Sequence, residues 1–294
     1  MAKTGFCLLL RLKNSQLLNF NQGMSLMSFS IATWNINSVR LRLPLVLQIL
    51  QQEKPDILCL QETKCPDDKF PYKAFRAAGY EHIAVHGQKG YHGVATLSLR
   101  PFEEVEKKEF CNKHDCRHVA VVIKAGNKHI RIHNFYVPAG GDEPDPEINP
   151  KFRHKLDFLE EMKAIKADMG DGLSSILVGD LNIAPYENDV WSHKQLLKIV
   201  SHTPIETRTL IELCSQGGWV DLMRKKIPEP QKIFTWWSYR AKDWASSNRG
   251  RRLDHIWSSP DLVPHMQEME ILTEARGMEK PSDHVPVIMH FDLA

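Results

Sequence analysis

No aspartate or glutamate precedes Glu53 in this 294-residue chain. The leader instead carries Lys3, Arg11 and Lys13 around the apolar run Phe6-Cys7-Leu8-Leu9-Leu10. An organelle transit segment has something of this composition. A secretory signal fits less well, because no small-residue cleavage site follows the short apolar core. Residues 1–27 are read as a disordered extension, or as the product of an upstream start codon with Met24 or Met27 as the initiator; organelle targeting is the second reading. No apolar run reaches the roughly 20 residues that span a bilayer, so no membrane is expected as a partner. Net charge is also slight, +2 with a pI near 8.2, so any polyanionic partner must be argued from where the charges sit. Cysteine is sparse: six, at uneven spacings, which points to reduced thiols and excludes a disulfide scaffold. Cys111-x4-Cys116 with His114 and His118 lacks a second Cys/His pair at finger spacing and runs straight into a hairpin, which argues against structural zinc. No repeat or linker divides the remainder of the chain, and residues 28–294 are expected to form a single catalytic domain.

What the chain does contain is a series of short apolar runs that each end in polar side chains. Ser175-Ile176-Leu177-Val178 has the length of a buried strand, Gly179 allows a turn, and Asp180 and Asn182 follow at i and i+2. An Asx-type turn would explain one such pair. Similar endings recur elsewhere, however. Phe29–Trp34 alternates like a strand into Asn35-Ile36-Asn37, and Ile57–Leu60 ends at Gln61-Glu62-Thr63. His118–Lys124 and Lys128–Val137, joined by Gly126-Asn127, form a hairpin delivering Asn134 and Tyr136. Strands are also expected at 80–85, 93–99, 233–239, 253–257 and 288–293. Helices are expected at Pro44–Gln52, at Lys151–Met169, and from Thr203 with Glu206 as its capping box to Gly217-Gly218.

Gathered together, the strand-closing residues are Asn35, Glu62, Tyr136, Asp180, Asn182, Asp254, Asp283 and His284. Converging carboxylates raise one another's pKa unless a cation offsets them. Oxygen and amide donors with few sulfurs favour Mg²⁺ or Mn²⁺ over zinc. Such a site suits phosphoester hydrolysis, in which a metal offsets the negative charge that grows in the transition state. Each residue taken alone has a plainer reading as a packed ring, a surface pair or a solvated loop carboxylate.

Thr33-Trp34-Asn35-Ile36-Asn37, Leu60-Gln61-Glu62-Thr63-Lys64, Asn134-Phe135-Tyr136-Val137-Pro138, Gly179-Asp180-Leu181-Asn182-Ile183-Ala184-Pro185, Asn248-Arg249-Gly250-x-Arg252-Leu253-Asp254 and Ser282-Asp283-His284 together resemble, in order, the motif set of the exonuclease III family. These are bacterial abasic-site endonucleases of the endonuclease/exonuclease/phosphatase superfamily. The resemblance implies an α+β fold, a four-layer α/β/β/α sandwich of two packed mixed β-sheets with outer helices. It implies cleavage of duplex DNA 5′ to abasic sites, 3′→5′ exonuclease action and cleaning of 3′ ends, by a Mg²⁺-dependent monomer of the bacterial cytoplasm. Carried over by position, Glu62 is the principal metal ligand, with Asn35 and Asp283 close by and Asp180, Asn182 and His284 bordering the same ion. Asp180 orients or deprotonates the attacking water, Asn182 holds it, His284 binds phosphate with Asp254 orienting its ring, and Tyr136 sets a phenol or phenolate near the scissile group. Three positions depart from relatives: Ala139 replaces an amide-bearing residue, Asn37 an aspartate of the animal branch, and His255 an aromatic or aliphatic neighbour.

Between Trp236 and Arg252 rings and cations interleave, a composition suited to stacking on bases and neutralising phosphates. Arg240, Arg249, Arg252 and His284 are the expected DNA contacts. Two tryptophans on one strand face opposite ways, so one is expected buried and one free. By resemblance, Trp237 is the one set against the flipped-out abasic sugar. Two alternatives share these residues: a superfamily hydrolase of inositol phosphates or sphingomyelin, and a non-catalytic DNA-binding module.

Overall fold

The computed structural model describes residues 28–293 except Lys242, so the reading of residues 1–27 lies outside the described residues. Among the described residues, twelve strands form two six-stranded sheets. One contains β1 (Ser28–Asn35), β2 (Ile57–Gln61), β3 (His82–His86), β4 (Val94–Ser98), β11 (Met266–Ile271) and β12 (Val287–Asp292), in the order β11-β12-β1-β2-β4-β3. The other contains β5 (Phe102–Glu106), β6 (His118–Ala125), β7 (Lys128–Tyr136), β8 (Ser174–Asp180), β9 (Val220–Asp221) and β10 (Asp254–Ser258), in the order β5-β6-β7-β8-β10-β9. In each sheet the central pair is parallel, β1 with β2 and β7 with β8, and the other pairings are antiparallel. Parallel neighbours need a crossover. Helix Leu43–Glu53 supplies it for the first pair and helix Pro150–Met162 for the second.

Strand alternation sorts the side chains into layers. Phe29 and Ile31 of β1 join Ile57, Val121, Ile132, Ile176 and Met289 between the sheets. Ala32 and Trp34 face the other way, onto Val46, Ile49 and Phe75 of the helices covering that sheet. Phe135, Leu177 and Trp257 pack outward on Phe158, Leu159 and Met162, with Leu210 and Leu213 of helix Pro204–Gln216. The result is the expected four-layer sandwich of two mixed sheets with outer helices. Two buried amides tie the sheets together: Gln61 Nε2 donates to Asn134 Oδ1 at 2.8 Å, and Asn134 Nδ2 donates to the carbonyls of Leu60 and Ala95.

The capping box of Thr203 and Glu206 is present, and the hairpin turns at Gly126-Asn127. Glu206 also receives Lys155 Nζ at 2.5 Å, both side chains fully buried, and the same ammonium donates to the carbonyls of Ala139 and Asn182. Several expectations need correction. Helix 151–169 stops at Met162, although Ile165 still packs in the core. Residues 233–239 form no strand; Trp236 makes only isolated bridges to Arg251 and His284. Strands β5, β9 and β11 carry no clear sequence signal: β5 is an edge strand, largely polar and exposed, β11 is an edge strand with no buried residue, and β9 has only two residues. Gly179 does not end its strand. It sits within β8 at φ +142°, where a Cβ would stand 1.9 Å from the Phe135 carbonyl oxygen of the neighbouring β7. That close approach between parallel strands requires glycine. Gly179→Ala is therefore expected to lower unfolding free energy by about 3 kcal/mol or more, read from urea denaturation; a loss within about 0.5 kcal/mol would show that the strands part freely.

Candidate active site

Four of the expected residues lie at the carboxyl ends of the two parallel pairs. Asn35 ends β1, Glu62 follows β2, Tyr136 ends β7 and Asp180 ends β8. Asp254 opens β10, whose antiparallel register sets it opposite Asp180. His284 precedes β12, which runs antiparallel to β1 and so begins where β1 finishes. Trp34 Nε1 donates to the His284 carbonyl at 3.0 Å, and Ser282 Oγ donates to the Asn35 carbonyl at 2.7 Å.

The polar groups form one connected line. Asn35 Nδ2 donates to Glu62 Oε1 at 3.0 Å and to Asp180 Oδ2 at 2.8 Å. Tyr136 Oη donates to Glu62 Oε1 at 2.8 Å. Asp180 Oδ2 lies 3.6 Å from His284 Nε2, and His284 Nδ1 lies 2.8 Å from Asp254 Oδ2, which also accepts from Thr235 Oγ1. Asn182 turns back on Asp180: its backbone N–H meets Oδ1 and its Nδ2 meets Oδ2 and the Val137 carbonyl. The local turn and the convergence on a common centre are thus both present. His255, a departure without an explanation in the sequence, is fully buried beside the Ile183 carbonyl, 2.8 Å from Nε2, and so pins the loop after Asp180. Asn37 links Lys64 to Asp283, whose other oxygen accepts from Trp236 Nε1 at 2.9 Å.

Charge is distributed unevenly along this line. Burial opposes ionisation of Glu62, but Lys64, Asn35 and Tyr136 more than offset it and hold its pKa below the ordinary value. Burial pushes Asp180 up to about 7, reinforced by Asp254 and Glu62 and opposed by the His284 charge. Burial disfavours the His284 imidazolium, yet the Asp254 and Asp180 carboxylates raise it to about 10. Tyr136 is driven well above its usual range by burial and by Glu62, so it is a phenol and not a phenolate.

The chemistry of the donors suits a cation: Glu62 and Asp180 bring carboxylate oxygens to the two sides of Asn35 Nδ2, and Lys64 Nζ already stands 2.8 Å from Glu62 Oε2. Atoms of Asp180, Asp254 and His284 also lie within 4.8 Å of one another. The hydrogen bond that His284 Nδ1 donates to Asp254 Oδ2, however, marks those two as an orienting pair. Asn35 presents its Nδ2 to the carboxylates, with its oxygen turned to the Asn37 amide, 3.0 Å away.

Beside Glu62 and Tyr136 opens a cleft of about 760 Å³ walled by Lys64, His92, Asp115, Arg117, Lys151 and His154. Arg117 pairs with Asp115, donates to the Tyr136 carbonyl and lies 4.9 Å from the Tyr136 ring. Arg117 does not stand out in the sequence, and Lys64 does so only as the last residue of the motif after β2, with no role of its own assigned. Arg240 and Arg249 are exposed, the latter 4.7 Å over Trp191. Two expected contacts are corrected. Arg252 is fully buried, its guanidinium on Asp189 and Asp221, and cannot reach DNA. Trp237 is 3% exposed, its Nε1 on Asn248 and its ring packed on Trp244, whereas Trp236 is half-buried and faces Asp283. The choice between the two rings is reversed because residues 235–237 are anchored from both sides, Thr235 by Asp254 and Trp237 by Asp283's carbonyl.

The model of the endonuclease/exonuclease/phosphatase family matches residues 32–284. Exodeoxyribonuclease III of Haemophilus influenzae is 31% identical over 268 residues, covering 88% of this chain and 98% of that one. An AP endonuclease structure from Archaeoglobus fulgidus superposes with a TM-score of 0.82 at 34% identity, covering 90% of this chain and 99% of that one. The 3′-5′ exonuclease NExo of Neisseria meningitidis gives 0.82 at 31%, covering 90% and 100%.

Two outcomes are expected of these groups. Truncating Arg252 removes its hydrogen bonds to buried Asp189 and to Asp221 and leaves Arg224 as the cation on Asp189, so Arg252→Ala should cost about 3 kcal/mol in urea denaturation; a loss under about 1 kcal/mol would place the side chain outside the fold's support. In metal-free protein, the raised His284 pKa means that stability from its imidazolium is present below about 6.5 and lost as pH rises through about 10. Its NMR signals should therefore titrate well above neutrality, and Asp254→Asn should move them downward. Titration near 6.5 in the unmodified protein would contradict the assigned pairing.

Proposed function

The chain belongs to the endonuclease/exonuclease/phosphatase family, and from that premise we propose that it is a metal-dependent DNA-repair nuclease. It hydrolyses the phosphodiester 5′ to abasic sites in duplex DNA, with 3′→5′ exonuclease and 3′-end-cleaning activity. The observation that carries the reading is the line of polar groups from Lys64 through Glu62, Asn35, Asp180 and His284 to Asp254, drawn from both sheets and opening at Glu62 and Lys64 on the cleft. Relatives named as exodeoxyribonuclease III, AP endonuclease and DNA repair nuclease support DNA as the substrate, as does a related Neisseria 3′ phosphatase structure bound to a product DNA hairpin.

Asp180, with a pKa near neutrality, is the group suited to take a proton from water at pH 7. Asn182 fixes its carboxylate from below and orients that water. The His284 imidazolium, held by Asp254, donates to a phosphoryl oxygen and stabilises the charge that grows there. Tyr136, as a phenol, holds Glu62 at the cleft wall. A divalent ion on Glu62, Asp283 and a turned Asn35, Mg²⁺ by its preference for oxygen and Mn²⁺ as substitute, would polarise the phosphoryl oxygen. Trp236, half-buried with its Nε1 on Asp283, is the ring of the two set to border an extruded abasic sugar, and the exposed Arg240 and Arg249 are the cations set to meet phosphates. The catalytic domain is residues 28–294, acting as a monomer in a bacterial cytoplasm.

Abasic duplex, intact 3′-ended duplex and a soluble inositol phosphate, each assayed with and without chelator, test the proposal. Cleavage of both duplexes that is abolished by chelation is expected; turnover of the inositol phosphate alone would favour the small-phosphoester reading. Asp180→Asn and His284→Ala should each lower turnover by about 10³-fold or more, while binding of abasic duplex in chelator persists. Retained cleavage in either variant would remove that residue from the mechanism.

A further inference from the structure

A second group of metal-ligand side chains lies away from the line between Lys64 and Asp254. His86 ends β3, Glu109 precedes the turn at Phe110, and Cys116 lies just before β6. One donor atom from each falls within 4.8 Å of the others. His86 Nε2 stands 2.9 Å from Glu109 Oε1, while its Nδ1 lies 2.9 Å from the His118 backbone carbonyl. A ring that gives its Nδ1–H to a carbonyl presents a bare Nε2, the arrangement that orients histidines on metals. In the neutral ring that lone pair faces a carboxylate oxygen, and a cation held by both groups resolves the conflict. Two more observations point the same way: Glu109 Oε2 is buried without a hydrogen-bond partner, and Cys116 is a buried free thiol. Of the Cys111, His114, Cys116 and His118 spacing in the sequence, Cys116 alone belongs here. Its companions come from other elements, which no local spacing could reveal.

We propose that His86, Glu109 and Cys116 form a zinc-class metal site that clasps the wall of the active-site cleft. One imidazole nitrogen, one carboxylate oxygen and one thiolate suit Zn²⁺ and not Mg²⁺, with water completing a tetrahedron. The Cys116 S–H bond breaks as the S–metal bond forms, and its proton leaves to solvent. The clasp joins β3 to the segment whose neighbouring residues, Asp115 and Arg117, line the cleft, with Arg117 donating to the Tyr136 carbonyl. It requires no particular substrate, so it stands or falls independently of the proposed function.

The test is Co²⁺ titration of the full, reduced, chelator-stripped protein. Near-ultraviolet thiolate-to-cobalt absorption should appear at one equivalent and vanish on adding Zn²⁺. The active site holds no cysteine, so this band reports the clasp alone. Cys116→Ser should abolish it, and His86→Gln should weaken Co²⁺ binding by roughly tenfold or more. Cys111→Ser and Asp180→Asn should leave it unchanged. Far-ultraviolet circular dichroism confirms folding of each variant, and His86→Gln decides the matter should Cys116→Ser not fold. Absence of the band in unmodified protein, its survival in Cys116→Ser, or undiminished affinity in His86→Gln would overturn the proposal and leave an ordinary histidine-glutamate ion pair.

Discussion

Carboxylates gathered in one buried place repel, and the organisation of this protein depends on how that repulsion is offset. Glu62, Asp180, Asp254 and Asp283 come from four separate segments, and each meets a donor or a cation. Glu62 has Lys64 and Tyr136, Asp254 has His284 and Thr235, and Asp283 has Asn37 and Trp236. Asp180 is reached by Asn35, Asn182 and the edge of His284. Asn35 has the least replaceable position, because one amide nitrogen lies between a carboxylate of each sheet.

The sandwich makes this possible through its parallel pairs. A parallel pair delivers two carboxyl strand ends to the same edge of a sheet, where irregular backbone and ligand sites concentrate. Two such pairs packed face to face bring four ends together, and the Gln61-Asn134 bond fixes their relative register. Antiparallel β10 and the approach to β12 then add Asp254 and His284 from their amino ends. Below the site, the buried Lys155-Glu206 pair holds the carbonyls of Ala139 and Asn182, so the loops after β7 and β8 share one support. Such a pair is weak evidence for stability but fixes geometry when every donor is used.

Much of this is legible in the sequence because strand ends announce themselves: an apolar run closing on Asn35, Glu62, Tyr136 or Asp180 marks both the strand and the polar tip that joins the candidate site. The hairpin at Gly126-Asn127 and the Thr203-Glu206 cap are readable for the same local reasons. What escapes is non-local. Edge strands such as Phe102–Glu106 bury too little to show a pattern. Arg252 looks like a DNA contact beside Arg249 and Arg251, and only the fold reveals Asp189 and Asp221 around it. Trp236 and Trp237 are indistinguishable in sequence, since which ring is the more buried depends on partners the pattern does not mark, Asn248 for Trp237 and the distant Asp283 for Trp236. Gly179 reads as a turn residue, and its true reason, a carbonyl on the next strand, lies more than 40 residues away.

The central claim is that side chains from both sheets act as a single catalytic unit. A double-mutant cycle of Asn35→Ala and Asp254→Ala, with turnover measured on an abasic duplex in Mg²⁺, addresses it most directly. The account predicts strong non-additivity, with the double variant losing little more activity than the worse single variant. Losses that multiply as for independent sites would contradict it.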